Sequence, residues 1–135
     1  MILIVCLDDK NGMSFYGRRQ SADSAVIAKI KEYVSEHGIY MDPYSEKLFS
    51  DKDRIIAAGN FLDLAGDNDC CFAEITDVSD HFERFDEIVI FRWNRVYPAD
   101  LYFPLHLIQS GWNKRVIAKF AGTSHDEICQ EVYCK

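Results

Sequence analysis

The chain lacks the short motifs that by themselves indicate a reaction or a ligand. It has no C-x-x-C pair, no glycine-rich phosphate loop and no G-x-S-x-G nucleophile elbow. Its four histidines are isolated from one another. His125 and Cys129 stand four residues apart, which is half of a metal site by spacing, but no second pair completes it. We therefore expect no bound metal.

Long apolar runs and clustered positive charge are also missing. No stretch approaches the ~18 apolar residues of a membrane helix, and the opening run Ile2–Leu7 is too short and too poor in basic flanks for a signal peptide. The net charge is −7, and the 15 Lys and Arg residues are dispersed, so a phosphate backbone is repelled. The five cysteines are odd in number, which favours reduced thiols. We expect a cytoplasmic protein that binds neither membranes nor nucleic acids.

What the chain does contain is the composition and the alternation of one α/β domain. Hydrophobic residues make up 48% and charged residues 27% of its 135 residues, and no linker or repeat divides residues 1–135. Short apolar runs predict six strands, at residues 2–7, 39–41, 55–58, 70–75, 87–93 and 115–120. Between them, local signals predict helices starting at Ser21, at Asp42-Pro43 and at Asn60, and a polar loop at 10–20. The pattern predicts a largely parallel sheet with helices on both faces.

The C-terminal segment carries conflicting signals. Ser124 and Glu127 match a capping box, and Ile128 with Val132 forms an i, i+4 apolar pair. These local features favour a terminal helix through Tyr133 over an antiparallel strand at 128–134.

Several segments, taken in order, resemble the dihydrofolate reductase family. They are Ile4-Val5-Cys6-Leu7-Asp8, the loop with Gly12-Met13, the helix start Ser21-Ala22-Asp23, Ile39-Tyr40-Met41-Asp42, Asp100-Leu101-Tyr102-Phe103-Pro104, and Trp112. The resemblance implies that family's fold, and it places Asp23 at the position of the catalytic acid. It also places Cys6, Met13, Ile27 and Phe91 around the ligand, Phe91 standing where the family has a threonine.

The same resemblance implies that the nicotinamide nucleotide site is lost. The family's paired glycines, which bring backbone against the pyrophosphate, fall near residues 72–76, where this chain has no glycine and carries Glu74. The nucleotide-gripping turn is replaced by Asp42-Pro43-Tyr44-Ser45. We expect no NADPH binding and a small-molecule-binding or regulatory role. There are two alternatives. One is an NADPH-dependent reductase with an altered cofactor site. The other is a protein-interaction domain that uses residues 92–98 to bind a partner or a second copy of the chain.

A second resemblance is to short bacterial proteins, some of which bear the name ribonuclease Z. It rests on R-R-Q-S at 18–21, R-W-N-R-x-Y-P-A-D at 92–100 and F-A-G-x-S-H at 120–125. Ribonuclease Z requires an H-x-H-x-D-H cluster for two zinc ions, which this chain does not have. The resemblance therefore implies no nuclease activity.

Asp23 is the one candidate catalytic residue. Two interpretations of Asp23 are possible. In the first, the helix dipole stabilises its charge in the first turn of the helix by ~0.3–1 kcal/mol, and no ligand is involved. If Asp23 instead lies at the rim of an apolar face that includes Ile27, its pKa would be raised and its carboxyl group would hydrogen-bond the edge of a ligand's ring. On that second reading, Asp23→Asn would stabilise the fold.

The remaining candidates are cationic or sulfur-containing. Arg18 and Arg19, preceded by two aromatic residues, suit an anionic ligand or a solvated loop. Arg92 and Trp93 could bind an anion or anchor a protein interface, with Trp93 stacked on Arg95. The alternative is that they only pack within the fold. A Cys70-Cys71 nucleophile with a histidine base is the less favoured reading, because adjacent strand residues alternate between faces.

Overall fold

One large sheet organises the molecule. The computed structural model describes residues 1–50 and 54–135. Within these residues the sheet contains β1 (Ile2–Leu7), β4 (Ile39–Met41), β5 (Ile55–Ala57), β6 (Cys70–Ala73), β7 (Glu87–Arg92), β9 (Asn113–Phe120) and β10 (Ile128–Cys134). The order across it is β5-β4-β6-β1-β7-β10-β9. The first five strands in that order run parallel to one another, and β10 is antiparallel to both of its neighbours, β7 and β9. The predicted largely parallel sheet is confirmed.

The apolar runs form the central strands because both faces of the sheet are covered. In β1, Leu3 and Val5 point into one hydrophobic cluster and Ile4 into the other. The helix α1 (Ser24–Val34) covers the Ile4 face, and α3 (Phe61–Leu64) covers the opposite face. Helices on both faces are therefore confirmed. Within the residues described here, no helix has the length and apolar character needed to cross a membrane.

The residues expected to form a polar loop at 10–20 instead build part of a second sheet. Its three strands are β2 (Gly12–Phe15), β3 (Arg18–Arg19) and β8 (Leu101–Tyr102), in the order β3-β2-β8. Tyr16 and Gly17 join the first two strands with φ values of 52° and 68°. Positive φ at both central residues is the geometry of a tight hairpin, so a loop prediction based on polarity was wrong here.

The helix boundaries differ from the predicted ones by a few residues. Asp23, and not Ser21, is the N-cap of α1: its φ of −152° is extended, and its side chain accepts a hydrogen bond from the backbone N of Ala25. The helix ends at Val34, four residues before Gly38. The Asp42-Pro43 start of α2 (Pro43–Glu46) is confirmed, with Asp42 accepting from the backbone N of Tyr44.

The predicted C-terminal helix is wrong, because residues 128–134 form β10. Paired with β7 on one side and β9 on the other, β10 gains two ladders of backbone hydrogen bonds. It also buries Ile128 and Val132 in the core beneath α1. A capping box contributes on the order of 1 kcal/mol, which the tertiary pairing of an internal strand exceeds.

Candidate functional site

Polar side chains gather where the parallel strands end. Asp8 follows β1, Asp42 follows β4, Glu74 follows β6 and Trp93 follows β7. The carboxyl ends of parallel strands lie at one edge of the sheet, which is where α/β proteins bind ligands. Asp8 is buried and accepts hydrogen bonds from the backbone N of Gly12 and of Tyr97, so it fixes two loops at this edge.

Asp23 is enclosed beside this edge and not open to solvent. Its side chain has 0% exposure. Oδ1 accepts from the backbone N of Ala25 and from the backbone N and Oγ1 of Thr123, at 2.9, 2.9 and 3.0 Å. Oδ2 accepts from the backbone N and Oγ of Ser124 and bonds Nδ1 of His125, at 2.9, 3.2 and 3.0 Å. The carboxylate thus joins the start of α1 to the loop at 122–125.

The raised pKa expected for Asp23 at a cleft rim is contradicted. Burial by itself would raise the pKa of this carboxyl, but the hydrogen bonds from Thr123, His125, Ser124 and Ala25 hold it far below its ordinary value. Each of those donors stabilises the charged form, and together they outweigh the loss of hydration. Asp23 is therefore an ionised acceptor at neutral pH.

His125 is the second member of this cluster. Its Nε2 lies 3.0 Å from Oγ of Ser21 and 3.0 Å from the hydroxyl of Tyr97. Its ring stacks on Trp93 with centroids 4.5 Å apart and an interplanar angle of 21°. The sequence singled out His125 only as half of a metal site and did not indicate this role, because Asp23 and Ser21 lie 102 and 104 positions away. Trp93 contacts this ring, and the predicted stack of Trp93 on Arg95 is not formed: Arg95 lies over Tyr97.

A glycine makes the close approach of the 122–125 loop possible. A Cβ on Gly122 would overlap the Asp23 carboxylate and lie 2.9 Å from Cδ1 of Ile128. We expect Gly122→Ala to lower the free energy of unfolding by about 2 kcal/mol, because the backbone must move away from the carboxylate. Gly111→Ala is the matched control, since its Cβ would meet none of the described atoms within 4 Å. Urea unfolding of the two variants measures the difference, and equal stabilities would contradict a tight loop.

A partly buried ion pair, Arg19–Glu74, lies beside the end of β6. Nε and Nη2 of Arg19 donate to the two carboxylate oxygens of Glu74 at 3.0 and 3.1 Å, and Oγ of Ser45 donates to Oε1 at 2.8 Å. The Arg19 guanidinium also lies 4.2 Å from the centre of the Tyr44 ring. Phe15 and Tyr16, the two aromatic residues that precede the arginines, pack on each other.

A cleft runs along the exposed side of α1, next to Asp23. Its volume is about 530 Å³. Ile27, Ala28, Leu48 and Lys31 line it, and Thr123 and Ser24 border the end near Asp23. Because the Asp23 carboxylate has no exposed surface, Asp23 borders this cleft through its backbone.

The structure separates the other predicted ligand-binding residues. Ile27 lines the cleft, and Trp93 and His125 line a neighbouring polar cavity of about 640 Å³. Met13 and Phe91 are buried in the two hydrophobic clusters. Arg92 pairs with Glu131 at 3.2 Å, whereas Arg18 is exposed. These predicted residues are thus distributed over the cleft, the polar cavity, the two hydrophobic clusters and the surface.

The thiols are poorly suited to nucleophilic chemistry. Burial, and then the charge of Glu74, raise the pKa of Cys6 well above its ordinary value. Burial likewise raises the pKa of Cys70 to about 11 and that of Cys71 to about 12. Cys70 and Cys71 face opposite clusters, and His81 bonds Asp63 instead of a thiol. Among residues 1–50 and 54–135, no group of three or more His, Cys, Asp or Glu side chains is placed to hold a metal ion.

The sheet order, the two-sided helical cover and the antiparallel C-terminal strands define a protein of the dihydrofolate reductase fold. Dihydrofolate reductase from Enterococcus faecalis, in its complex with NADP(H) and RAB-propyl, matches 98% of this chain and 94% of its own with a TM-score of 0.68. The sequence identity is 11%, so the likeness concerns the fold. No protein-family model and no curated protein matches the chain.

Proposed function

We propose that this protein binds a small, flat, largely apolar molecule with an anionic group in the cleft along α1, without a nicotinamide nucleotide. The observation that carries the proposal is the cleft itself. About 530 Å³ suits a molecule of one or two fused rings. Ile27 and Leu48 offer apolar contact, and Lys31, which also lines the cleft, carries one positive charge.

The Arg19–Glu74 pair supports the absence of a nucleotide site. The resemblance puts the pyrophosphate of the family's cofactor against the backbone after β6, where glycine leaves room. In this chain a carboxylate and a guanidinium satisfy each other at that place, and Ser45 completes the hydrogen bonding of Glu74. A pyrophosphate would have to displace a bidentate ion pair and lie next to a negative charge.

An anionic aromatic dye tests the cleft directly. We expect 1-anilinonaphthalene-8-sulfonate to bind the folded protein with a stoichiometry of one, detected by its fluorescence. Lys31→Gln should weaken this binding by roughly 3- to 10-fold, because a charge-assisted contact to the sulfonate contributes about 1 kcal/mol. Lys29→Gln is the matched control on the same helix, because Lys29 points to Phe120 and Glu32 and does not line the cleft.

Two results of this titration would count against the proposal. Equal weakening by Lys29→Gln and Lys31→Gln would mean that the dye reports only the net charge. Several dye molecules bound per chain would indicate loosely folded apolar surface instead of one cleft.

A titration with NADPH tests the absence of a nucleotide site. We expect a dissociation constant no tighter than roughly millimolar, which corresponds to a binding free energy of about −4 kcal/mol. Micromolar NADPH binding would favour the alternative of a reductase with an altered cofactor site.

A further inference from the structure

Three side chains beside the start of α1 have the connectivity of an activated serine. Oγ of Ser21 lies 3.0 Å from Nε2 of His125, and Nδ1 of the same ring lies 3.0 Å from Oδ2 of Asp23. The nucleophile, the base and the group that orients the base are thus linked in series, each within hydrogen-bond distance of the next. Asp23 borders the cleft proposed to bind the small molecule only through its backbone, and Ser21 and His125 do not line that cleft, so the arrangement stands independently of that proposal.

The Asp23 carboxylate determines which ring nitrogen of His125 carries the proton. An ionised carboxylate only accepts hydrogen bonds, and the pKa of Asp23 is held far below its ordinary value, so Nδ1 must be the donor. In the neutral ring Nε2 is then an acceptor, directed to the hydroxyls of Ser21 and Tyr97. That is the protonation state in which an imidazole accepts a proton from a serine hydroxyl.

The base is rigid, and the nucleophile is accessible. The His125 side chain is 1% exposed and is held by the stack on Trp93 and by the carboxylate. Ser21 is half-buried and lies outside the helix, two residues before the N-cap. Ser21 therefore keeps contact with solvent, whereas the imidazole has little freedom to turn away from its hydroxyl. Orientation of this kind is a large part of what a catalytic site supplies.

We infer that Ser21 is a nucleophile toward carboxylic esters with small acyl groups, with His125 as its general base and Asp23 as a positioning residue. Oγ of Ser21 attacks the ester carbonyl carbon while its proton passes to Nε2 of His125. The C–O bond to the alcohol breaks, and the alcohol oxygen leaves with the electron pair and takes up that proton. Water, deprotonated by His125, then attacks the acyl-serine, and Ser21 regains its proton from His125 as the carboxylic acid departs.

Acylation of the full chain tests the inference. A fluorophosphonate probe, with the modified residue located by mass spectrometry, should label Ser21, and p-nitrophenyl acetate should release nitrophenolate in a burst of one equivalent. Ser21→Ala should lose both, while Ser110→Ala, which removes an exposed serine far from this cluster, should lose neither. Labelling of Ser110 and other surface serines as fast as Ser21 would overturn the inference.

The role of His125 is tested by rate and by pH. His125→Gln should slow acylation of Ser21 by at least ~100-fold, within the range expected for removal of a general base. The acylation rate of the wild-type protein should rise with pH in a one-proton step. His125→Gln should lack this step, and Asp23→Asn should shift the pH at which it occurs. If His125 had only a structural role, the pH dependence would be the same in all three proteins. The charged or titratable groups facing the ring or its cavity are Asp23, Tyr97, Arg95, Lys119, Asp126, Glu127 and Cys129.

Tyr97→Phe keeps the inference testable if the histidine variant does not fold. The Tyr97 hydroxyl competes with Ser21 for the lone pair on Nε2, since both lie 3.0 Å from it. Removing that competitor should raise the acylation rate of Ser21. An unchanged or lower rate in a folded Tyr97→Phe protein would count against activation of Ser21 by His125.

Discussion

Replacing Asp23 with asparagine is expected to lower the free energy of unfolding by about 3 kcal/mol. The carboxylate has 0% exposure and accepts hydrogen bonds on both oxygens from the start of α1 and from the 122–125 loop. An amide presents an NH₂ group where one of those oxygens accepts, so buried donors lose their acceptor. The expected loss is opposite to the stabilisation that a carboxylate at a cleft rim predicts.

The pH dependence of this variant gives an independent check. The folded-state pKa of Asp23 is lowered, so its contribution is present above the unfolded-state value of about 3.9 and is lost as the pH falls below it. The stability difference between wild type and Asp23→Asn should therefore be constant near neutral pH and shrink in the acid range. Urea unfolding at a series of pH values measures it.

Asp126→Asn is the matched control for this experiment. Asp126 is an exposed carboxylate in the same loop, and its replacement should change stability by less than ~0.5 kcal/mol at any pH. If Asp23→Asn were as mild as Asp126→Asn, the closed network around Asp23 would not exist in solution.

Glu74→Ala is expected to cost about 3 kcal/mol, because it leaves the Arg19 guanidinium without its carboxylate. The Glu74 side chain is 6% exposed and that of Arg19 21%, so water replaces the lost partner poorly. Ser45, which is fully buried, loses its acceptor in the same substitution. Chemical unfolding of the variant measures the effect.

An exposed ion pair provides the comparison for Glu74. Lys29 and Glu32 approach to 4.0 Å, and the Glu32 side chain is 76% exposed, so Glu32→Ala should cost less than ~0.5 kcal/mol. Glu74→Ala should also let pyrophosphate raise the melting temperature, because Arg19 is then free to bind an anion. Equally small losses of stability in both variants would show that the Arg19–Glu74 pair does not stabilise the fold. If pyrophosphate affected Glu74→Ala no more than the wild-type protein, Glu74 would not be the residue that excludes pyrophosphate.

The central architecture was predictable because local and tertiary preferences agree there. Ile2–Leu7 and the stretch 88–91 within Glu87–Arg92 are continuous apolar runs, which are typical of strands covered on both faces. Asp42 before Pro43 starts a helix through contacts within one turn, so no distant residue was needed to predict it.

The candidate site was predictable only in part. The resemblance drew attention to Asp23, and the cleft does lie beside it, but burial and hydrogen bonding reversed the expected direction of its pKa shift. His125 has no local feature that indicates a bond to Asp23, which is 102 positions away. Arg19 and Glu74 are 55 positions apart, and neither one indicates the other.

The sequence by itself determined the fold class, the central strands and the start of α2, because each depends on residues that are neighbours in the chain. Only the tertiary structure decided the rest. It turned residues 128–134 into a strand, since two neighbouring strands offer more hydrogen bonds and apolar contact than a local cap does. It also brought Ser21, Asp23 and His125 together, because the short connection between the paired strands β9 and β10 places the 122–125 loop on the first residues of α1.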